Sequence, residues 1–564
     1  MNPGGAAAFV PGSALVSGPK ARALDAEASA RWGLSPFALV EAAGRTCAGV
    51  LAAAYPEFFP RGGGTAAGRP RILILAGSGN NAADALVLLR ALILWELVRP
   101  DQGTVFFTRL PAEEEQTPLS LAWKSVKALG VPAFAWGEPA GAALERACRE
   151  AGASLVIDGL AGTGLTGPLR GAALEMAETL NRPRAEPAGA VPFVVSVDVP
   201  SGNFDGWKQG MPVIEAGATL AIEPRKLCLY KPAARPFGGR LLPVGGIFPR
   251  ELVESCREAE LLDWETAAAR IPAVGGGAHK YERGLVEIRA GSPGAAGAAK
   301  LAARGAQAAG AGLVRLIADP SLYPILAADP CGIMVAPDSP VPPADSSAGR
   351  FKPDAALLGP GWGRGPDRAG ILEKYLSLEK EGLPLVLDAD AVFLARGHVF
   401  QGNALITPHP GEFSAYTGIP AAEILADPVP VLKSAAGEKN ITVLLKGSVI
   451  YVVSPDGRTG ILDGMNPALA AGGTGDLLAG FCAAIGARCR AAAARNLRGK
   501  APAASGGFDG YNCAAAAAAL LLEAGKRFRR RFIDPLEAAG AAAALAGEAW
   551  LGGNSGGGEE GRPR

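Results

Sequence analysis

The glycine-rich segment at residues 472–476 (GGTGD) carries the strongest chemical signal in this 564-residue chain. Its glycines permit a tight turn, and the helical pattern that follows indicates that the segment opens a helix. The first turn of a helix leaves backbone N–H groups free and adds positive potential, which favours an anion such as a phosphoryl group. Asp476 would lie beside that anion and could take a proton from a hydroxyl. The same pattern also fits a plain glycine loop whose Asp caps the helix.

Three further polar segments in this half of the chain each follow a predicted strand. They are residues 358–363 (LGPGWG), 407–412 (TPHPGE) and 445–448 (LKGS). Lys446 can reach a nucleotide phosphate, and phosphoryl transfer depends mainly on positioning and charge stabilisation. His409, between two prolines, also fits a structural loop residue, but we interpret it as a substrate contact and not as a base. Together with GGTGD, these segments predict chemistry on a phosphate.

A second set of polar turns lies in the N-terminal half. Residues 77–84 (GSGNNAAD) enter a predicted helix but lack the third glycine of a dinucleotide fingerprint. Asp158 and Asp198 each end a predicted strand. Asn81, Asp158 and Ser201 could supply hard oxygen ligands to a cation, and their low charge suits a monovalent ion. Asp198 could then act as an acid or a base on a bound ring.

These turns need a framework that brings them together, and alternating apolar runs and helical patterns supply one. The predicted strands cover residues 72–76, 105–110, 155–158, 193–198, 285–288, 314–318, 355–358, 385–388, 404–407 and 442–445. The predicted helices cover residues 83–96, 119–129, 297–310 and 476–489. This alternation predicts an α/β fold with parallel sheets and helices on both faces. Such sheets bind ligands at the carboxyl ends of their strands, where the polar turns lie.

The amino-acid composition indicates which classes of binding partner and metal site are not expected for this chain. Lys plus Arg is 55 and Asp plus Glu is 54, so the net charge of +1 predicts neither nucleic acid nor an anionic membrane as a partner. The eight cysteines form no CxxC pair and no two of the three histidines have metal-ligand spacing, so we expect isolated thiols and no His-based zinc site. The longest late apolar run, residues 513–522, is shorter than the about 20 residues of a membrane span. We therefore expect a cytoplasmic protein.

The C-terminal motifs resemble a known family when taken in order. Residues 388–391 (DADA), TPHPGE, LKGS and GGTGD resemble the NAD(P)H-hydrate dehydratases, and the similarity covers about residues 279–525. The resemblance implies a ribokinase-like fold and a substrate that is the S-form of hydrated NADH or NADPH. It implies phosphorylation of the C6 hydroxyl, with ADP or ATP as donor and Mg²⁺ bound with the nucleotide, and then elimination of phosphate.

The same resemblance implies roles for individual residues. Asp476 would be catalytic and would act on the C6 hydroxyl. The implied substrate contacts are Ala298, Gly361, His409 and Asp476. The implied nucleotide contacts are Lys446, Gly447, Ser448, Gly473, Thr474 and Gly475.

The N-terminal half resembles the NAD(P)H-hydrate epimerases over about residues 20–251. Residues 23–25 (ALD) and 40–44 (VEAAG) look like the opening helices of that family. The resemblance implies a Rossmann-like fold, K⁺ bound by Asn81, Asp158 and Ser201, and Asp198 as catalytic residue. The implied substrate contacts are Asn80, Asn81, Ala82, Ala83, Asp84, Gly162, Thr163, Gly164, Leu165, Thr166, Gly167, Pro168 and Asp198.

One position departs from the epimerase pattern. Ala82 and Ala83 stand where the family usually has two glycines. If these positions need a positive φ or close approach of a ligand, each alanine costs energy and its methyl group intrudes. If they form the first turn of a helix, alanine is harmless or better than glycine.

The two resemblances predict how the chain is organised. We predict an epimerase-like domain at residues 1–262, a ribokinase-like dehydratase domain at residues 270–552, each with three α/β/α layers, and a disordered tail at residues 553–564. A homo-oligomer is also predicted. One alternative is a ribokinase-type small-molecule kinase, which would make a stable phosphorylated product. Another is an N-terminal half that binds a partner without catalysis, which would not racemise the hydrate.

Overall fold

The computed structural model describes residues 13–59, 71–112, 114–149, 154–185, 192–328, 332–338, 352–498, 508–528 and 531–551. The chain divides into two compact units, Met1–Glu260 and Leu261–Arg564. The predicted disordered tail at residues 553–564 lies outside the described residues.

The first unit contains a parallel sheet with helices on both faces. The strands of this unit are β1 (Ala14–Val16), β2 (Arg71–Ala76), β3 (Gly103–Phe107), β4 (Ala133–Ala135), β5 (Ser154–Gly159), β6 (Phe193–Val197), β7 (Ala218–Ile222), β8 (Arg225–Lys226), β9 (Arg240–Val244) and, at the unit boundary, β10 (Ala259–Leu261). The parallel sheet contains all of them except β1, β8 and β10. The helices of this unit are α1 (Gly18–Trp32), α2 (Pro36–Ala54), α3 (Asn80–Leu94), α4 (Pro118–Ala128), α5 (Glu138–Arg149), α6 (Gly171–Ala185) and α7 (Arg250–Ser255).

The sheet of this unit has the order β4-β3-β2-β5-β6-β7-β9, and all its pairs are parallel. Strand order reverses between β2 and β5, and that point of an open sheet forms a crevice for ligands. Alternating residues of β2 face opposite layers, as a strand requires. Ile72 and Ile74 pack with α2, α3 and α4, whereas Leu73 and Leu75 pack with α5 and α6.

The second unit contains a larger, mixed sheet. Its strands are β11 (Leu285–Arg289), β12 (Leu313–Ala318), β13 (Met334–Pro337), β14 (Ala355–Leu358), β15 (Leu385–Leu387), β16 (Ala404–Ile406), β17 (Thr442–Leu445), β18 (Val449–Val453) and β19 (Thr459–Asp463). Its helices are α8 (Trp264–Ala268), α9 (Ala296–Ala308), α10 (Tyr323–Ala327), α11 (Pro366–Lys380), α12 (Ala389–Leu394), α13 (Pro410–Thr417), α14 (Ala421–Ala426), α15 (Pro428–Lys439), α16 (Thr474–Arg498), α17 (Gly510–Lys526) and α18 (Pro535–Leu551).

The strands of the second unit follow the order β13-β12-β11-β14-β15-β16-β17-β18-β19. They are parallel from β13 to β17, but β18 and β19 are antiparallel to their neighbours. The predicted parallel arrangement therefore holds from β13 to β17, and the sheet becomes antiparallel at β18 and β19. Only residues 446–448 connect β17 to β18, and so short a connection allows a hairpin but no crossover helix.

Helix α16 forms the centre of the second unit. Its Gly480 lies so close to α9 that an added Cβ would stand 2.2 Å from the carbonyl oxygen of Ala302. Glycine thus lets the two helices meet at their backbones, which fixes the position of the start of α16. By length and composition, two described helices could cross a membrane, Pro36–Ala54 and Thr474–Ala494, but 72% of the second is buried within the protein. Core helices pass the same composition test.

Candidate active sites

A cavity of about 640 Å³ opens in the first unit, at the carboxyl ends of β2 and β5. We call it the ring cavity. The start of α3, the loop after β5, the helices α1 and α2 and the residues after β6 enclose it. The predicted substrate contacts that line it are Asn80, Asn81, Asp84, Gly162, Thr163, Gly164, Leu165 and Asp198.

A buried ion pair lies in this cavity. Asp198 follows β6 with a φ of 66°, a left-handed backbone that turns its carboxylate into the cavity. Lys226 Nζ donates to Asp198 Oδ1 at 2.5 Å and to the carbonyl oxygen of Ile222 at 3.1 Å. The side chains of Lys226 and Asp198 are only 5% and 9% exposed. Burial raises the pKa of Asp198, and the positive charge of Lys226 opposes that rise.

Two more carboxyl groups line the ring cavity. Asp84 on α3 is buried, and its Oδ1 has no hydrogen-bond partner among the described residues. Burial raises the pKa of Asp84 well above its usual range, and the charge of Asp198 adds to this. Burial also raises the pKa of Asp25 on α1 to about 6, although Lys226 opposes the rise. Among these carboxyl groups, that of Asp25 can therefore give and take a proton near neutral pH.

The alanine pair lies in the first helical turn of α3. Helix α3 begins at Asn80, and neither Ala82 nor Ala83 has a positive φ. Both are fully buried and neither lines the ring cavity. Their methyl groups therefore pack in the core, as expected for the harmless alternative. Their predicted role as substrate contacts has no support in this geometry.

The end of the loop after β5 also lies outside the ring cavity. Thr166, Gly167 and Pro168 do not line it, although all three are predicted substrate contacts. Pro168 instead lines a smaller cavity of about 370 Å³, which we call the second cavity. Leu165 lines both cavities, so the loop passes from one to the other.

Two of the three predicted potassium ligands are in direct contact. The buried Asp158 carboxylate accepts hydrogen bonds from the hydroxyl of Ser201 at 2.5 Å and from that of Ser196 at 2.7 Å. Burial raises the pKa of Asp158, and these hydrogen bonds oppose the rise. The side-chain oxygen and nitrogen of Asn81 are buried without partners among the described residues. An added Cβ on Gly162 would lie 3.2 Å from Asn81 Oδ1, so Asn81 faces the loop after Asp158.

In the second unit, three predicted motifs meet around Lys446. The N–H of Lys446 donates to the carbonyl oxygen of Pro408 at 2.8 Å. Its Nζ donates to Asp388 Oδ1 at 2.8 Å and lies 3.8 Å from Glu412 Oε2. Thr407 Oγ1 also donates to Asp388 at 2.8 Å. Burial disfavours the charged lysine, but the two carboxylates together raise the pKa of Lys446.

The GGTGD segment joins this cluster through the start of α16. An added Cβ on Gly475 would lie 3.4 Å from Lys446 Nζ, so the ammonium group stands beside the first helical turn. Asp476 lies inside that turn, two residues after the first helical residue, Thr474, and not at the preceding position where a cap would lie. Burial raises the pKa of Asp476 to about 6, the charge of Asp388 adds to the rise, and Lys446 opposes it. Gly447 and Ser448 are exposed beside this cluster.

The remaining predicted contacts lie in loops and at the starts of helices in the second unit. Gly361 has a φ of 56°, and a Cβ there would lie 3.0 Å from the Cβ of Ala298, so these two residues adjoin. Gly473 has a φ of 97°, and the Thr474 hydroxyl donates to the carbonyl oxygen of Ala471, which fixes the turn. His409 is exposed, and its Nδ1 accepts from the backbone N–H of Gly411 at 3.0 Å, capping α13. His409 thus caps α13, which is a structural role that the sequence allowed besides that of a substrate contact.

Each half of the chain matches the sequence model of a known protein family. The sequence model described as NAD(P)H-hydrate dehydratase matches residues 286–531, and the one described as YjeF-related protein N-terminus matches residues 36–228. The bifunctional NAD(P)H-hydrate repair enzyme Nnr of Gloeobacter violaceus is 34% identical over 81% of this chain and 86% of its own length. The chain belongs to the bifunctional NAD(P)H-hydrate repair enzyme family. The Moorella thermoacetica enzyme is 31% identical over 74% of this chain and 78% of its own length.

Solved structures that resemble the chain cover about half of it. The ADP/ATP-dependent NAD(P)H-hydrate dehydratase of Bacillus subtilis, co-crystallised with ATP and Mg²⁺, is 21% identical and covers 51% of this chain and 98% of its own, with a TM-score of 0.42. A ribokinase-like superfamily protein of Enterococcus faecalis is 20% identical and covers 52% and 96%, with a TM-score of 0.44. The predicted repair-enzyme family and α/β fold class are confirmed, while the roles of single residues stay predictions.

Two charged residues of the ring cavity, Asp25 and Lys226, were not predicted from the sequence. Asp25 belongs to the ALD segment of the opening helix α1, and no local pattern indicates that this helix lines the cavity. Lys226 lies in the short strand β8, which carries no local motif. It reaches Asp198 across 28 residues of chain, and no spacing rule predicts such a contact.

Proposed function

We propose that the second unit dehydrates the S-form of hydrated NADH or NADPH with ADP, or ATP, as phosphate donor, and that the first unit interconverts the R- and S-forms. One observation carries the dehydration. Asp476, whose pKa burial raises to about 6, stands in the first turn of α16 beside the Lys446 cluster. A base near neutrality and a cradle for a phosphate therefore lie together.

The dehydration follows from these groups. Asp476 takes the proton of the C6 hydroxyl, and the hydroxyl oxygen attacks the terminal phosphorus of the nucleotide, whose bond to the bridging oxygen breaks and releases AMP from ADP, or ADP from ATP. Lys446 and the backbone of Gly447, Ser448 and Gly475 stabilise the charge on the moving phosphoryl group. Phosphate then leaves C6 and a proton leaves C5, which restores the ring double bond. Hydroxide leaves poorly and phosphate leaves well, so the step consumes a nucleotide.

Mg²⁺ is proposed to accompany the nucleotide in this unit. The carboxylates of Asp388 and Glu412 stand beside Lys446 and are hard oxygen donors, the type that Mg²⁺ accepts. When bound, the ion would neutralise charge on the phosphates.

The contacts proposed for the substrate are Gly361, Ala298 and the exposed imidazole of His409.

Epimerisation is proposed for the ring cavity, with Asp198 as the group that moves a proton on the hydrated ring. Lys226 holds the Asp198 carboxylate in place and favours its charged form. For K⁺, the unpartnered Asn81 oxygen fits a cation ligand, and Asp158 and Ser201 offer further oxygens behind it. A cation held there would supply positive charge next to the buried Asp158.

One experiment tests both proposed activities of the full-length chain. With the S-hydrate of NADH, we expect the absorbance of reduced nicotinamide to return when ADP or ATP is added, and not without it. A stable phosphorylated product without NADH would instead favour the ribokinase-type kinase. With the pure R-hydrate and no nucleotide, we expect the S-form to accumulate. A chain that leaves the R-hydrate unchanged would favour a non-catalytic N-terminal half.

Three broader proposals accompany these activities. We propose that the two activities belong to domains at residues 1–262 and 270–552, and the structural division after Glu260 supports this. We also propose a homo-oligomer and a cytoplasmic location, both on the sequence-based expectation. Light scattering during size-exclusion chromatography would measure the oligomeric state.

A further inference from the structure

Two cysteines are in contact where helices α16 and α17 pack together. The Cys513 thiol on α17 donates a hydrogen bond to Cys489 on α16, and 3.9 Å separates the two Sγ atoms. The expectation of isolated thiols is therefore wrong for this pair. A disulfide bond holds its sulfur atoms about 2 Å apart, so a small movement of the two side chains would join them.

The two cysteines differ in their access to solvent. Cys489 is half-buried, whereas Cys513 is fully buried in the core of the second unit. A reagent in solution therefore reaches Cys489 first, and Cys513 can react only from inside the protein. Redox-active cysteines commonly have this arrangement, in which an accessible thiol lies next to a second thiol that completes the disulfide.

A buried guanidinium group next to Cys489 supplies positive charge. Arg488 is only 2% exposed, and its Cζ lies 3.9 Å from the ring centroid of Trp550. Its Nε and Nη2 have no hydrogen-bond partner in the part of the chain that the structure describes. Burial lowers the pKa of Arg488 to about 10, and the acidic groups that oppose this are the thiols of Cys489 and Cys513. A buried charge is stabilised by an opposite charge, and a thiolate at Cys489 would supply one.

This environment favours the thiolate form of Cys489. The hydrogen bond from Cys513 lowers the pKa of Cys489, and the positive charge of Arg488 lowers it further. Burial and the negative charge of Asp509 act in the opposite direction, but Asp509 is itself paired with Arg458 at 3.0 Å. The same hydrogen bond and burial raise the pKa of Cys513. Cys489 is thus the nucleophile of the pair, because the thiolate and not the thiol attacks.

We propose that Cys489 and Cys513 form a reversible dithiol–disulfide pair that reacts with low-molecular-weight disulfides. The Cys489 thiolate attacks one sulfur of such a reagent, forms a mixed disulfide and releases a thiolate, which takes up the proton that Cys489 has lost. The Cys513 sulfur then attacks the Cys489 sulfur, and its proton passes to the second thiolate as this leaves. Two protein thiols are oxidised, and one reagent disulfide is reduced to two thiols.

This pair goes beyond the proposed repair activities and lies away from their sites. Cys489 is on the same helix as Asp476, but about 20 Å further along it at 1.5 Å per residue. The disulfide would join α16 to α17 and leave the first turn of α16 free. Its formation can therefore be measured independently of dehydration and epimerisation.

The test exposes the full-length chain to oxidised glutathione at neutral pH, followed by alkylation of free thiols and peptide mass spectrometry. In the wild type we expect a disulfide between Cys489 and Cys513 that dithiothreitol reverses. In Cys513→Ala we expect Cys489 to stop at the mixed disulfide with glutathione. Cys256 is the control within the same chain, because it is also half-buried but burial raises its pKa. We expect Cys256 to react about tenfold more slowly than Cys489.

A matched variant tests which cysteine completes the bond. Cys482 is a second fully buried cysteine of α16 in the same core, and Cys482→Ala should leave the disulfide and its rate of formation unchanged. Cys489 that stays free in both the wild type and Cys513→Ala would overturn the proposal. A mixed disulfide at Cys489 that persists in the wild type, or a bond from Cys489 to a cysteine other than Cys513, would overturn it equally.

Discussion

Both proposed active sites pair a lysine with an aspartate beyond the strand ends, but they use the pair differently. In the first unit Lys226 binds Asp198, which is itself the proposed catalytic group, and both side chains are almost fully buried. In the second unit Lys446 binds Asp388, and the proposed base, Asp476, is a separate residue on α16. Lys446 is also more exposed, at 19%. An enclosed pair suits a reaction on one ring, whereas a lysine anchored by a second carboxylate can still face a phosphate.

The variant that separates the two sites most strongly is Asp476→Asn. The amide keeps the shape of the side chain but cannot take the hydroxyl proton, so nucleotide-dependent recovery of NADH should fall by roughly 10²- to 10⁴-fold. The measurement is the return of reduced-nicotinamide absorbance with the S-hydrate and ADP.

Epimerisation of the R-hydrate provides the internal control for this variant. It should proceed at the wild-type rate without nucleotide, because Asp476 belongs to the second unit. Retention of dehydration by Asp476→Asn would remove the proposed role of this carboxylate.

The lysines themselves predict a difference in stability. Lys226→Met leaves Asp198 charged and buried without its partner, which should cost about 3–5 kcal/mol in the free energy of unfolding. Lys446→Met should cost less, because water can partly replace the lysine next to Asp388. Native-state hydrogen exchange at the amides of β6 and β7, and separately of β15 and β16, would measure each unit on its own. Equal losses in the two units would contradict the comparison.

The raised pKa of Asp476 predicts the pH dependence of dehydration. The base must be ionised to act, so kcat/KM should fall about tenfold per pH unit below pH 6 and level off above it. Stability runs the other way. Because the folded-state pKa of about 6 exceeds the usual 3.8, the protonated form stabilises the fold at low pH, and this stabilisation is lost as pH rises through 6. A rate profile that is flat between pH 5 and 7 would exclude Asp476 as the titrating base.

Local sequence patterns predicted the glycine loops and the polar turns of these two sites. GGTGD, LKGS and the polar turn after β6 each follow from glycine freedom or from the end of a buried strand, and the structure brings the first two together at Gly475 and Lys446. Lys226 lies in the two-residue strand β8, and Asp198 lies in the turn that follows β6. No periodic pattern in the sequence indicates that these two residues are in contact. Strands β18 and β19 were not predicted, because a short apolar run indicates neither its own element type nor the strand with which it pairs.

The smallest effect is predicted for Ala82 and Ala83 of α3, the two residues that depart from the family pattern. Ala82 and Ala83 lie in the first turn of a helix with their methyl groups buried, so Ala82→Gly and Ala83→Gly should each lower the free energy of unfolding of the first unit by about 1 kcal/mol. Neither methyl group lines the ring cavity, so kcat/KM for racemisation should not change. Hydrogen exchange at β2 and a racemisation assay measure the two effects. Faster racemisation by either glycine variant would mean that the methyl group obstructs the substrate after all.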